Sequence, residues 1–117
     1  MDITKKNYIQ NKKIDCSEYF GDEAWVILRE PNMDKLMALR ELAPLKEREM
    51  LAEAHDVLIE LVIDHSFYAG DHKVEPKAAI DTIYEKPKAA LELVTRYMEW
   101  AFEPFRPAGA NTDSKSM

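Results

Sequence analysis

Lys46 to His65 reads KEREMLAEAHDVLIELVIDH, and the reading of this stretch decides how the rest of the chain packs. Met50, Ala54, Val57, Leu58, Leu61 and Val62 recur at helical spacing along one broad face, and Ile59 and Ile63 extend the apolar surface round the side. A helix with so wide an apolar arc needs neighbours on more than one side, so the other helical segments are expected to surround it. The expected fold is mainly α: a compact bundle of about four helices with a short N-terminal β-hairpin.

Upstream, Ile14, Cys16 and Phe20 alternate imperfectly with polar residues, and Ala24-Trp25-Val26-Ile27-Leu28 is rich in aromatic and β-branched types. Gly21 and Asp22 suit a tight reversal between them, which places a hairpin over 14–29; Pro31, without an amide proton, ends it. Asn32 suits the cap of a helix over 33–43, with Asp34 in the first turn, where free amides favour negative charge. Leu36, Leu39 and Ala43 form its core stripe, flanked by Met33, Met37 and Leu42. Pro44 breaks the chain before the central helix, read as 45–65.

Downstream, Ser66 to Lys73 reads as a loop in which Gly70 takes a left-handed turn. Pro76 and Pro87 suit first helical positions and open helices over 76–85 and 87–103. The last carries Ala90, Leu91, Val94, Tyr97, Met98 and Ala101 inward, with Leu93 and Trp100 widening the arc, and Pro104 and Pro107 stop it. Residues 1–13 are expected to be loosely ordered, 14–105 to form one globular domain, and 106–117 to be a flexible polar tail.

A chain of 117 residues suits one domain that buries roughly 65% of its unfolded surface without staples. With 46% hydrophobic and 32% charged residues, the composition is that of a globular protein. A net charge of -6, with Lys5, Lys6, Lys12 and Lys13 its densest basic group, argues against nucleic acid as a partner. Cys16 is alone, so neither an intramolecular disulfide nor a cysteine-paired zinc site can form. The N-terminus lacks the apolar core of a signal peptide, and the run Val57 to Ile63 is interrupted by Glu60 and too short to span a bilayer. A soluble protein of the cytoplasm, with no membrane partner, is the expectation.

Reactive chemistry finds little to stand on. His55, Asp64, His65, Asp71 and His72 are metal-ligand types, yet no His-Glu-x-x-His or Glu-x-x-His spacing sets two of them on one helix face. Asp64 to Glu75 has the length of a calcium loop without its oxygen ligands or central glycine. Cys16 has no histidine near it in sequence, and Ser17 and Ser66 lack a glycine-framed elbow. Gly21, Gly70 and Gly109 are too dispersed for a phosphate loop. Glu47 with Glu49 reads as solvated surface charge. No catalytic residue, cofactor or metal is expected. Trp100, Phe102 and Phe105 crowd the end of the last helix, and Met33 and Met37 lie a turn apart on the first, types that serve adaptable protein interfaces as well as cores.

Leu28-Arg29-Glu30-Pro31 closes the strand pair and leads into the helices. With that segment, a middle helix ending in Asp64-His65-Ser66-Phe67, a short helix after Val74-Glu75-Pro76 and a final helix opened by Pro87, the chain over residues 14 to 105 resembles the tail assembly chaperones of long-tailed bacteriophages and prophages. The resemblance implies a non-enzymatic protein of the bacterial host's cytoplasm that holds the tape measure protein and recruits tail tube subunits. It carries over no catalytic residue. For Arg29 and Glu30 a structural role at the strand-to-helix junction is expected, and for Trp25, Met33, Met37, Trp100 and Phe102 a part in the protein-binding surface, which would take long apolar helices. Self-association through leftover apolar surface also fits. Two other readings stay open: a small acidic helical adaptor or regulatory domain of bacterial metabolism, and a metal-dependent hydrolase using His65, Asp71 and His72.

Overall fold

The computed structural model describes residues 10–21 and 23–103. The chain runs β1 (Asn11–Asp15), α1 (Ser17–Phe20), β2 (Trp25–Arg29), α2 (Met33–Arg40), α3 (Glu47–Leu61), β3 (Val62–His65), β4 (Tyr68–Ala69), β5 (His72–Lys73), α4 (Pro76–Tyr84) and α5 (Pro87–Phe102).

The mainly α expectation is overturned: among the described residues 57% are helix and 19% strand, with a three-stranded antiparallel sheet, so the fold is α+β. The difference arises inside the stretch that seemed most helical. Val62 stops the helix with φ -66° and ψ 127°, and the chain passes from helix to strand with no turn between. Val62 and Ile63 are β-branched and stiff in a helix, and an open strand edge lies beside them. β3 takes that edge, pairing Val26 with His65, Ile27 with Asp64 and Leu28 with Val62, which leaves Ile63 as the extra residue of a bulge. Ser66 N–H extends the ladder to the Trp25 carbonyl at 3.1 Å.

β2 is thus the central strand, in the order β1-β2-β3. β1 pairs with it from Asn11 opposite Arg29 to Asp15 opposite Trp25, so Asn11, Lys12 and Lys13 belong to the sheet. The connection is longer than a tight reversal, because α1 lies within it. Asp15 Oδ1 accepts from Ser17 N–H at 2.8 Å at the start of α1, and Gly21, at φ 75°, caps its end. Residues 1–9, Asp22 and residues 104–117 lie outside the described residues, so the expectations for the N-terminal segment up to residue 9, for Phe105 and for the tail concern chain not described.

Burial alternates along the strands: Ile14, Val26, Leu28 and His65 are buried on one face of the sheet. α3, α4 and α5 touch one another, and pack against β2, β3 and β1 respectively. α3 contributes Ala54, Leu58 and Leu61, α4 Ala79, Ile80 and Ile83, and α5 Ala89, Ala90, Leu93, Val94, Tyr97 and Ala101. Pro76 and Pro87 sit in the first turns of their helices. Gly70 turns the β4–β5 pair at φ 64°.

α2 attaches to this body through α3. Asn32 Oδ1 accepts from Lys35 N–H at 2.9 Å and caps it. α2 ends at Arg40, and turn bonds from Leu42 N–H to Leu39 and from Leu45 N–H to Leu42 carry the chain to α3.

Candidate protein-binding surface

The Arg29-Glu30-Pro31 junction is a fastening. Glu30 N–H donates to the Gln10 carbonyl at 2.8 Å, and Glu30 Oε1 accepts from Gln10 N–H at 3.2 Å, closing the open end of the hairpin. The Arg29 carbonyl accepts from the Tyr97 hydroxyl at 2.7 Å, which ties the same point to α5. Among the described residues Arg29 and Glu30 form no ion pair with each other, and Arg29 Nε is buried without a hydrogen-bond partner.

The five residues singled out as a protein-binding surface lie on three elements, Trp25 on β2, Met33 and Met37 on α2, and Trp100 and Phe102 on α5. Met33 and Met37, one turn apart on α2, are the exposed ones, with relative exposures of 65% and 45%. Trp25 is half-buried on β2; Lys13 Nζ lies 4.8 Å from its ring centroid, and its indole N–H donates to Glu23 Oε1 at 3.2 Å. Trp100 and Phe102 are half-buried and pack against the core, Trp100 with its ring 5.9 Å from that of Tyr97. Trp100 also borders an open cleft of about 540 Å³ between β1 and α5, where Lys12, Lys13 and Arg96 are interleaved with Asp15, Glu99 and Glu103. Three cations and three carboxylates thus share that lining.

A second depression lies between α3 and the end of α2 with the connection that follows it. It has a volume of about 480 Å³; its apolar lining is Ala38, Leu42, Leu45, Ala52 and Val57, and three glutamates, Glu41, Glu49 and Glu53, stand along it. Leu42 is buried, Leu45 and Val57 are half-buried, and all three glutamates are exposed. Glu49, Ala52, Glu53 and Val57 are three and four apart on α3, one stripe away from the buried Ala54, Leu58 and Leu61. Lys35 pairs with Glu60 between the same two helices. Sequence reasoning missed this groove: it placed Val57 in the core and Glu49 in solvated charge. The available signal was that acidic and apolar residues share one stripe of α3.

The histidines and carboxylates considered as ligands are dispersed as well. His65 is buried, with Nε2 2.7 Å from the Val74 carbonyl and Nδ1 accepting from Phe67 N–H at 3.1 Å, while Asp71 and His72 are exposed on the β4–β5 turn. Asp64 pairs with Lys73 at 2.5 Å. Among the described residues no three His, Cys, Asp or Glu side chains converge to hold a metal. Cys16 is buried beside α1, and burial pushes its thiol up to about 11. No described helix is long and apolar enough to cross a membrane.

Compared with models of protein families, with curated proteins and with solved structures, the chain matches none.

Proposed function

We propose that this protein is a non-enzymatic tail assembly chaperone of a long-tailed phage or prophage, binding the tape measure protein and recruiting tail tube subunits in the bacterial cytoplasm. The observation that carries the reading is α2. Leu36 and Leu39 of this helix are buried while Met33 and Met37 are open to solvent, so it retains apolar surface after the fold is complete. Methionine suits a surface that adapts to long, variable apolar helices. The Leu28-Arg29-Glu30-Pro31 segment, which leads from β2 into α2, is the sequence feature behind the same family reading.

Co-expression with the tape measure and tail tube proteins of the same gene cluster tests it. A co-purifying complex is expected, weakened at least tenfold by Met33→Glu with Met37→Glu while the far-ultraviolet circular dichroism stays unchanged. Absence of a complex with either protein overturns the reading.

A further inference from the structure

The α2–α3 groove has a chemistry of its own. Its lining holds apolar residues and three glutamates but no lysine, arginine or histidine. Among the described residues, none of the three carboxylates forms an ion pair. Glu49 and Glu53 stand four apart on α3, where like charges repel across one turn. The groove therefore combines partly exposed apolar surface, at Ala38, Leu45, Ala52 and Val57, with three carboxylates that form no ion pair among the described residues.

We propose that this groove binds a basic amphipathic helix of another protein, its apolar stripe on Leu45, Ala52 and Val57 and its Lys or Arg side chains facing Glu41, Glu49 and Glu53. From Glu49 to Val57 the groove runs about 12 Å along α3, enough to seat roughly two turns of a helix. Apolar anchors at i, i+3, i+4 and i+7 on the incoming helix match that length. The flanking cations set orientation and speed the encounter. This assignment rests on the chaperone reading for the identity of the partner protein, and on the groove's own lining for its chemistry.

The test uses the full chain and three synthetic helical peptides: one with a leucine stripe flanked by lysines, one with the same stripe flanked by glutamates, and one with the lysines kept and the stripe scrambled. Fluorescence anisotropy is expected to show saturable 1:1 binding of the first, at least tenfold weaker binding of the other two, and a further loss as salt rises. Glu49→Lys with Glu53→Lys is expected to reverse the preference toward the glutamate-flanked peptide. Glu18→Lys with Glu85→Lys, the same change in net charge at exposed positions off the groove, is expected to leave it intact. Equal binding of the lysine-flanked peptide and its scrambled form, or equal effects of the two charge reversals, overturns the proposal. So does a change of oligomeric state on Glu49→Lys with Glu53→Lys, which makes a second copy the occupant. If the peptides behave as expected and no tape measure or tube complex forms, the chaperone reading fails and the groove stands. If the complex forms and is indifferent to Glu49→Lys with Glu53→Lys and to Val57→Asp, the groove assignment fails alone.

Discussion

The hydroxyl of Tyr97, on a fully buried side chain of α5, donates to the backbone carbonyl of Arg29 at 2.7 Å, joining positions 68 residues apart. The bond holds the last residue of the central strand against the final helix, just before Pro31 turns the chain toward α2. Burial raises the phenol's pKa far above its ordinary value, which favours the protonated hydroxyl that donates this bond.

Tyr97→Phe keeps the ring and removes only this bond, leaving a carbonyl without its partner. The expected cost is about 1–2 kcal/mol, seen as a lower denaturation midpoint at unchanged m-value. A change within experimental error would mean that the carbonyl is served by water instead.

His65 is held in one tautomer. Phe67 N–H can only donate, so Nδ1 is the acceptor, and Nε2 carries the proton that it gives to the Val74 carbonyl. Nitrogen-15 NMR of the imidazole is expected to show the Nε2–H form. His65→Phe strands both backbone groups and is expected to cost about 2–4 kcal/mol; full stability in that variant would dismiss the arrangement.

His55 links α3 to α4, with Nε2 2.5 Å from Asp81 Oδ1 and Nδ1 3.0 Å from Asp56 Oδ1. Burial opposes its charge, but the hydrogen bonds and charges of Asp81 and Asp56 outweigh burial and raise its pKa above 6.5. A raised pKa means that folding favours the protonated ring. The stabilisation is complete below 6.5 and is lost as pH rises through the folded-state value. Asp81, held down by Lys77 and then by His55, loses its share as pH falls through its own depressed value, below 3.8. Wild type is therefore expected to exceed His55→Gln in stability most between about pH 4.5 and 6, with the gap narrowing toward pH 8.5. Urea unfolding of both proteins across that range reads it directly, and a gap constant with pH would rule the link out.

Cys16 should behave as a buried hydrophobe. With the thiol pushed up to about 11 and the side chain enclosed, a thiol-specific reagent at pH 8 is expected to label the native protein only through unfolding. Labelling in urea should be complete within minutes. Rapid native labelling would place the cysteine at the surface.

Much of this architecture can be read from single residues, and where it cannot, the deciding partner is distant in sequence. Pro76 and Pro87 fix φ and lack an amide proton, so they mark the starts of α4 and α5 without help from packing. The aromatic and β-branched run at 25–28 marks β2 in the same way. Val62 differs, because it continues the apolar stripe of Leu58 and equally suits a strand. What decides is Leu28, whose strand offers a paired edge, and no local pattern contains that. α1 is hidden for a smaller reason: the Asp15 carboxylate on Ser17 N–H starts a turn of helix where Gly21 and Asp22 suggested a reversal. The groove is hidden for the largest. Its three glutamates look like ordinary surface charge until α2 is laid beside α3, and only then do they border Leu42, Leu45 and Val57.

One consequence follows from the junction at Val62. Leu61 ends the helix that lines the groove and Val62 begins a strand hydrogen-bonded to the middle of the sheet, so no hinge separates the two. α3 is a lever welded at its base: a load that pulls it from the sheet falls on the ladder hydrogen bonds between β3 and β2.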